Sequence, residues 1–348
     1  MTILNNLKAF NAALFKPNKV DALPIHLIFM VIEKCNIVCK TCYPRTGKKI
    51  LDSNKFYDSI KRLPIINVGI SGSGETLLYP DLMPLIKKLK SNTNPSVNVT
   101  TNGVLLEGKA EQLFKSGIDT LSISIDAATP ETYSALRANR KNFYKILKGI
   151  DKINKLKVKY ESRKPKLRGL FVVSKYNIEE VSQFVELSKS IGLNEVYFQH
   201  MIFRMEMLDW KEFLGEYTAD EIVNKMKEAG RIADKLNIRH NCNEWANKDD
   251  IWQRYNDEPL NNYKKCIFPW MSLFAKENGD VYPCCMLYYY EPAKMGNLYE
   301  QDIEEIWNNK KYQKFRQLIK ERKHPNPVCK KCLAPEIWDS MKRYLRLK

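Results

Sequence analysis

Three cysteines offer the first chemistry in this chain. Cys35, Cys39 and Cys42 stand in CNIVCKTC, a CxxxCxxC spacing that directly follows an apolar run. Three thiolates in one tight loop can hold three irons of a 4Fe–4S cluster and leave the fourth iron without a protein ligand. An open metal position is a place for substrate or cosubstrate. Zinc is the competing reading, but a structural zinc site closes with four ligands. The loop contains no His, and the nearest, His26, lies inside the preceding apolar run.

A second group lies in the tail. Cys266 and Cys284 are separated by 17 residues, Gly279 stands five before Cys284, and Cys329 and Cys332 form CxxC. Four cysteines suit one closed tetrahedral site, either zinc or 4Fe–4S. Cys285, next to Cys284, is a rival ligand, a thiol facing substrate, or a small buried residue. Cys242 has no partner at ligand spacing and reads as a buried free thiol.

These groups need elements to position them. Apolar runs predict strands at His26–Ile32, Ile66–Ser71, Val97–Thr101, Thr120–Asp126, Leu167–Ser174 and Glu195–His200. Helical spacing between them centres on Asn54–Arg62, Leu82–Leu89, Gly108–Ser116, Lys141–Lys155 and Ile178–Ile191. Six β-then-α units imply a parallel sheet with right-handed crossovers. Six units rather than the eight of a closed barrel predict an α/β fold of the partial (β/α)6 TIM type, open on one side. Residues 1–23 read as a surface segment with a short helix, 24–205 as the barrel, and 206–265 as a bridge. The bridge holds a helix at Ala219–Leu236 and the residues Trp210, Trp245 and Trp252. Residues 266–348 read as a small metal-supported domain. It has a turn at Asn278–Gly279, a helix at Ile303–Arg322, and Trp270, Trp307 and Tyr312 in its core.

Composition excludes several classes. The chain has 348 residues, 44% hydrophobic and 28% charged, so disorder, collagen and coiled coil are excluded as the main architecture. Its longest apolar run, Leu23–Ile32, is far short of the roughly 20 residues of a membrane span. No secretory signal is evident, so the chain reads as cytoplasmic. Nine cysteines in a reducing compartment point to metal or catalysis rather than disulfides. The 57 basic residues exceed the 40 acidic ones, for a net charge of +17. Such charge attracts nucleic acid, phosphorylated metabolites or acidic peptides. Lys outnumbers Arg threefold and is spread along the chain, so we read it as a surface bias. Without an Arg cluster and stacking aromatics, no nucleic-acid partner is expected.

The first cysteine spacing after the first strand of a six-unit barrel resembles the radical S-adenosyl-L-methionine (SAM) superfamily. ISGSGETLLYPDL is similar to that family's glycine-rich motif, VTTNG to its third-strand motif, and SISIDAATPETYSALR to its fourth-strand segment. Thr76 stands where the family often has Pro, and Thr41 where an aromatic or Met is common. The resemblance implies a SAM-binding 4Fe–4S cluster on Cys35, Cys39 and Cys42. It implies that Gly72 and Gly74 allow close approach to ligand and that Glu75 accepts hydrogen bonds from the SAM ammonium. Ser124 and Asp126 would lie near the ribose and Arg137 on the SAM carboxylate, with Thr100, Asn102 and Gln199 as further cofactor contacts. The tail resembles SPASM domains, and more closely their shortened form, twitch. Trp338 stands where a full SPASM domain continues with another Cys, and no cysteine follows Cys332. That implies one auxiliary 4Fe–4S cluster, fully ligated by Cys266, Cys284, Cys329 and Cys332.

The implied activity is reductive cleavage of SAM to a 5′-deoxyadenosyl radical that abstracts hydrogen from substrate. The expected enzyme is an oxidoreductase of a small polar substrate (a sugar, aminocyclitol or nucleotide-linked compound), with the auxiliary cluster accepting an electron. A flavodoxin or ferredoxin type of donor is the expected partner. The alternative is a ribosomal-peptide maturase that crosslinks or epimerises; the 23 residues before the first strand are too few for the peptide-recognition domain expected there. A nonenzymatic iron–sulfur or zinc protein would not need the Gly74–Glu75 and Asp126 motifs. No general base stands out, and His200, Arg204 and Cys285 are the candidate catalytic residues.

Overall fold

The computed structural model describes residues 2–40, 42, 47–137, 139–200, 214–246, 251, 266–330 and 332. Six parallel strands form its centre: β1 His26–Met30, β2 Asn67–Ser71, β3 Ser96–Thr101, β4 Thr120–Ser124, β5 Lys166–Val172 and β6 Glu195–Gln199. Each pairs with the next in sequence, which is the strand order of a partial barrel. Helices α2 Ser53–Ile60, α3 Leu82–Asn92, α4 Leu106–Lys115, α5 Pro130–Arg137, α6 Arg140–Lys159 and α7 Val181–Ser190 make the crossovers.

Alternation along the strands separates two faces. Phe29, Ile70, Val99, Ile123, Phe171 and Phe198 are buried on the helix side. There Phe29 meets Phe56 of α2 at 4.6 Å and Phe171 meets Phe184 of α7 at 4.8 Å between ring centres. The opposite, concave face carries polar, half-buried groups, among them Asn67, Asn98, Thr100, Ser124, Tyr197 and Gln199.

The barrel is open, so both edge strands need partners. At β6, the chain after helix α8 (Ala219–Lys235) supplies them. Val196 N donates to Arg239 O at 2.8 Å, and the Asn241 side chain bonds both the N–H and the C=O of Phe198. At β1, β7 (Ser272–Ala275) adds in parallel, and antiparallel β8 (Asp280–Tyr282) and β9 (Gly296–Asn297) follow. The cysteine-rich tail therefore extends the barrel's own sheet.

Several local expectations change. Strands β1, β4, β5 and β6 end one or two residues earlier than the apolar runs. The single helix expected at Ile303–Arg322 is two, α10 Ile303–Trp307 and α11 Lys310–Lys320, preceded by the short α9 Phe268–Met271. The break falls at Asn308 and Asn309: Asn308 bonds the backbone of Val20, and Asn309 caps α11 by accepting from Tyr312 N at 2.8 Å. The N-terminal helix α1 (Thr2–Phe15) has 14 residues and is longer than the short surface helix expected, and Ala9, Ala12 and Ala13 are buried on its inner face. Trp245, Trp270, Trp307 and Tyr312 are buried, whereas Trp210 and Trp252 lie outside the described residues.

Candidate active site and metal centres

Cys35, Cys39 and Cys42 are half-buried on the loop at the C-terminal end of β1, the end where barrels of this type place their sites. Three neighbours hold that loop. Lys40 N donates to Leu136 O of α5 at 2.8 Å. Asn102, just past β3, donates through Nδ2 to Asn36 Oδ1 at 2.8 Å and lies 3.8 Å from Cys35 Sγ. The glycine turn after β2 is laced to the residues before Cys35: Gly74 N donates to Ile32 O and Glu75 N to Lys34 O, each at 2.9 Å.

That lacing gives the glycines a role in the fold. A Cβ on Gly74 would stand 1.9 Å from Lys34 O, and one on Gly72 would stand 2.9 Å from Ile32 O. Their bare backbone is needed against the cysteine loop itself, whatever ligand later binds.

Glu75 is 1% exposed, and its oxygens are committed to the protein. Oε1 accepts from Leu77 N at 2.9 Å and Thr101 Oγ1 at 2.5 Å, and Oε2 from Asn102 N at 2.7 Å. Burial raises its carboxyl above the usual range, and these bonds and Arg137 pull it back. In this structure Glu75 ties the end of β3 to the glycine turn.

Asp126 and Arg137, expected on different parts of SAM, bond each other. Arg137 donates from Nε at 2.8 Å and from Nη2 at 2.5 Å, both to Asp126 Oδ2. Burial alone would lower the guanidinium's pKa, but the facing Asp126 carboxylate outweighs it and holds it above its ordinary value. Asp126 also has φ +60°, the left-handed region, which Asp tolerates better than most residues. Val172 N on its Oδ1 and Asn177 Nδ2 on its carbonyl, at 2.8 and 2.9 Å, hold it there. It does not cap α5. Thr129 does, its hydroxyl accepting from Thr132 N at 3.2 Å, and Glu180 of the next crossover braces that turn by accepting from Ala128 N and from the Thr129 and Thr132 hydroxyls.

Thr100, Ser124 and Gln199 sit on the concave face at or near the C-terminal ends of β3, β4 and β6. His200 stacks on the buried ring of Trp245 at 3.5 Å. Arg204 and Thr41 lie outside the described residues. The roles of Asn36, Thr101, Asn177 and Glu180 escaped the motif reading. Only the buried polar Thr101, among the Val residues of β3, carried a local signal.

The three loop thiols fit a cluster with one open iron. None of the nine cysteines is in a disulfide. Burial pushes the Cys39 thiol up to about 11, the Arg137 cation opposes this, and Cys42 and Cys35 are near enough to add to it. Bound metal ionises such thiols outright.

The second group converges as well. Cys266, Cys284, Cys329 and Cys332 line one cavity whose other walls are apolar, including Phe268, Leu287, Phe315 and Ile319. Cys285 is not in its lining, so Cys284 is the ligand that the geometry favours. Burial pushes Cys266 up to about 12 and Cys284 well above its usual value. On α11, the same helix as Phe315 and Ile319, two buried polar atoms have no hydrogen-bond partner, Tyr312 Oη and Arg316 Nη2. Arg316 is a fully buried cation between the rings of Trp307 and Tyr312, with no carboxylate partner among the described residues. An anionic centre in the neighbouring cavity would compensate that charge. Among the described residues, no three His, Cys, Asp or Glu side chains are gathered as ligands of one ion. In a four-iron cluster each iron takes a single cysteine, so its thiols stand further apart than those around one zinc.

Two cysteine centres so placed, one open at the mouth of a parallel sheet and one closed beside it, define an iron–sulfur enzyme. The chain carries a radical SAM superfamily domain, whose family model matches residues 29–188, and a SPASM iron–sulfur cluster-binding domain, matched at residues 266–333. The family's cofactors are a 4Fe–4S cluster and SAM, with auxiliary iron–sulfur in the SPASM part. Among curated proteins, GTP 3′,8-cyclase of Limosilactobacillus fermentum is 28% identical over 61% of this chain. The chain spans 64% of that relative's length. AdoMet-dependent heme synthase of Methanosarcina barkeri is 26% identical over 79% of each chain. Among solved structures, Streptococcus suis SuiB bound to S-adenosylmethionine superposes with TM-score 0.68 at 17% identity, covering 94% of this chain and 76% of that one. The shared fold is the open barrel with its C-terminal extension. Among the described residues, no helix is long and apolar enough to cross a membrane.

Proposed function

We propose that this chain is a radical SAM oxidoreductase of a small polar substrate, a sugar, an aminocyclitol or a nucleotide-linked compound. The observation that carries the reading is the polar concave face, where Thr100, Ser124 and Gln199 offer hydrogen bonds toward the mouth that holds the cysteine loop. A substrate rich in hydroxyls or amines matches such a surface.

Cys35, Cys39 and Cys42 would hold the SAM-binding cluster, and bound SAM supplies a 5′-deoxyadenosyl radical that abstracts hydrogen. Arg137 spends Nε and Nη2 on Asp126, which leaves Nη1 for the SAM carboxylate, and the Asp126 contact fixes its direction. Glu75 has a lone pair left beyond its three protein donors for the SAM ammonium. Ser124, Thr100, Asn102 and Gln199 complete the polar rim toward the nucleoside and substrate. Cys266, Cys284, Cys329 and Cys332 would hold the auxiliary cluster, which has no open position and so supplies an electron acceptor rather than a substrate ligand. A flavodoxin or ferredoxin type of protein would deliver the initiating electron.

The test is a substrate panel. Reconstituted protein, SAM and dithionite are incubated anaerobically with sugars, aminocyclitols and nucleotide sugars. The expected outcome is a product lacking one hydrogen pair, formed together with 5′-deoxyadenosine. Turnover confined to peptides would replace this reading with the second one, a ribosomal-peptide maturase. That reading draws on SuiB, which was solved bound to its precursor peptide SuiA.

A further inference from the structure

At the N-terminal end of the sheet, opposite the cysteine loop, lies an open cavity of about 570 Å³. It is framed by the end of α6, the loop into β5, the first residues of β5 and β6, and the segment after α8. Lys157, Arg163, Lys166 and Arg239 line it, with Asn194 and Glu195. From Glu195 to Gln199, β6 rises about 13 Å, so this cavity is remote from the candidate active site.

The charge here is not balanced by the described residues. Neighbouring cations have carboxylates: Lys90 and Lys164 both pair with Asp119, and Arg168 takes the acid of the cavity, Glu195, at 2.6 Å. Among the described residues, none of Lys157, Arg163, Lys166 and Arg239 forms an ion pair. Lys157 is the telling member. It is half-buried, its ammonium has among the described residues only the Asn194 amide oxygen at 3.4 Å, and burial lowers its pKa. Four uncompensated cations around a concavity attract an anion of high charge density. Two are guanidiniums, the group that pairs phosphate through two parallel hydrogen bonds. No aromatic side chain lines the cavity, so it offers no platform for stacking bases, as a nucleic-acid strand would need.

We infer that this cavity is a second binding site, for a small molecule bearing two or more adjacent phosphates. It is independent of the chemistry proposed at the other end of the barrel.

The probe is inorganic triphosphate, titrated calorimetrically into the full-length holoenzyme at physiological ionic strength. One site per chain is expected. Arg239→Gln and Lys166→Gln, both exposed positions, should each weaken binding at least tenfold, and Arg239→Lys only a few-fold. Lys145→Gln, on the same basic helix but outside the cavity, should leave binding unchanged. Melting curves of the free variants within a degree of the parent show that the loss is not unfolding. Three results would overturn the inference: no binding of triphosphate, an equal loss with Lys145→Gln, or tighter binding of a single-stranded RNA than of triphosphate at the same site.

Discussion

Replacing Gly74 by Ala tests how the cysteine loop is held. The new Cβ would stand 1.9 Å from Lys34 O and 2.4 Å from Lys34 C, where nonbonded carbon and oxygen need about 3.3 Å. Both neighbours are backbone, so no side chain can swing aside. The glycine turn and the residues before Cys35 must part by more than an ångström. This disrupts the bonds from Gly74 N to Ile32 O and from Glu75 N to Lys34 O. Overpacking costs about 1–3 kcal/mol and each of the two lost bonds about 0.5–1.5, which sums to roughly 2–6 kcal/mol. At about 2.1 cal/mol/K per residue, unfolding entropy for 348 residues converts this to a drop in Tm of about 3–8 °C. The assay is scanning calorimetry together with iron content after reconstitution. Gly108→Ala is the control, because its Cβ meets nothing within 4 Å and α4 should gain about 0.5–1 kcal/mol. A Gly74→Ala protein that melts and loads iron like the parent would refute the lacing argument.

Two further outcomes are expected. Cys284→Ser should lower reconstituted iron from about eight to about four per chain, whereas Cys285→Ser should keep about eight; the reverse order would exchange their roles. His26 is half-buried at the start of β1, and burial lowers its pKa to about 4. The unfolded imidazole titrates near 6.5, so the unfolded state binds more protons between these values, and stability falls as pH drops from about 6.5 to 4. The loss approaches roughly 3 kcal/mol, and chemical denaturation of His26→Phe should show a flatter pH profile across that window; an equal slope would assign the loss elsewhere.

The barrel was legible because its signal is local. Alternation in runs such as Asn67–Ser71 fixes a strand and its two faces within a residue or two. Helix α5 was missed because it is only two turns long, although Thr129, which caps it, and Pro130 are a local start signal. Strand β7 was missed as a continuation of the barrel because its apolar residues do not reveal that they pair with β1. At the site, spacing singled out seven candidate cysteines, since metal ligation dictates residue type. The partners of Glu75, Asp126 and Arg137 were not legible. A carboxylate that will bond Thr101 and Asn102 looks in sequence like one that will bond an ammonium, and only the folded backbone decides between them.

The most direct test is 5′-deoxyadenosine formation from SAM under anaerobic reduction with dithionite, compared between the reconstituted parent and a variant with Cys35, Cys39 and Cys42 all replaced by Ala. The parent should form 5′-deoxyadenosine and the variant none. Cleavage retained in the variant, or absent from a fully iron-loaded parent, would contradict the assignment of these three thiols to a SAM-cleaving centre.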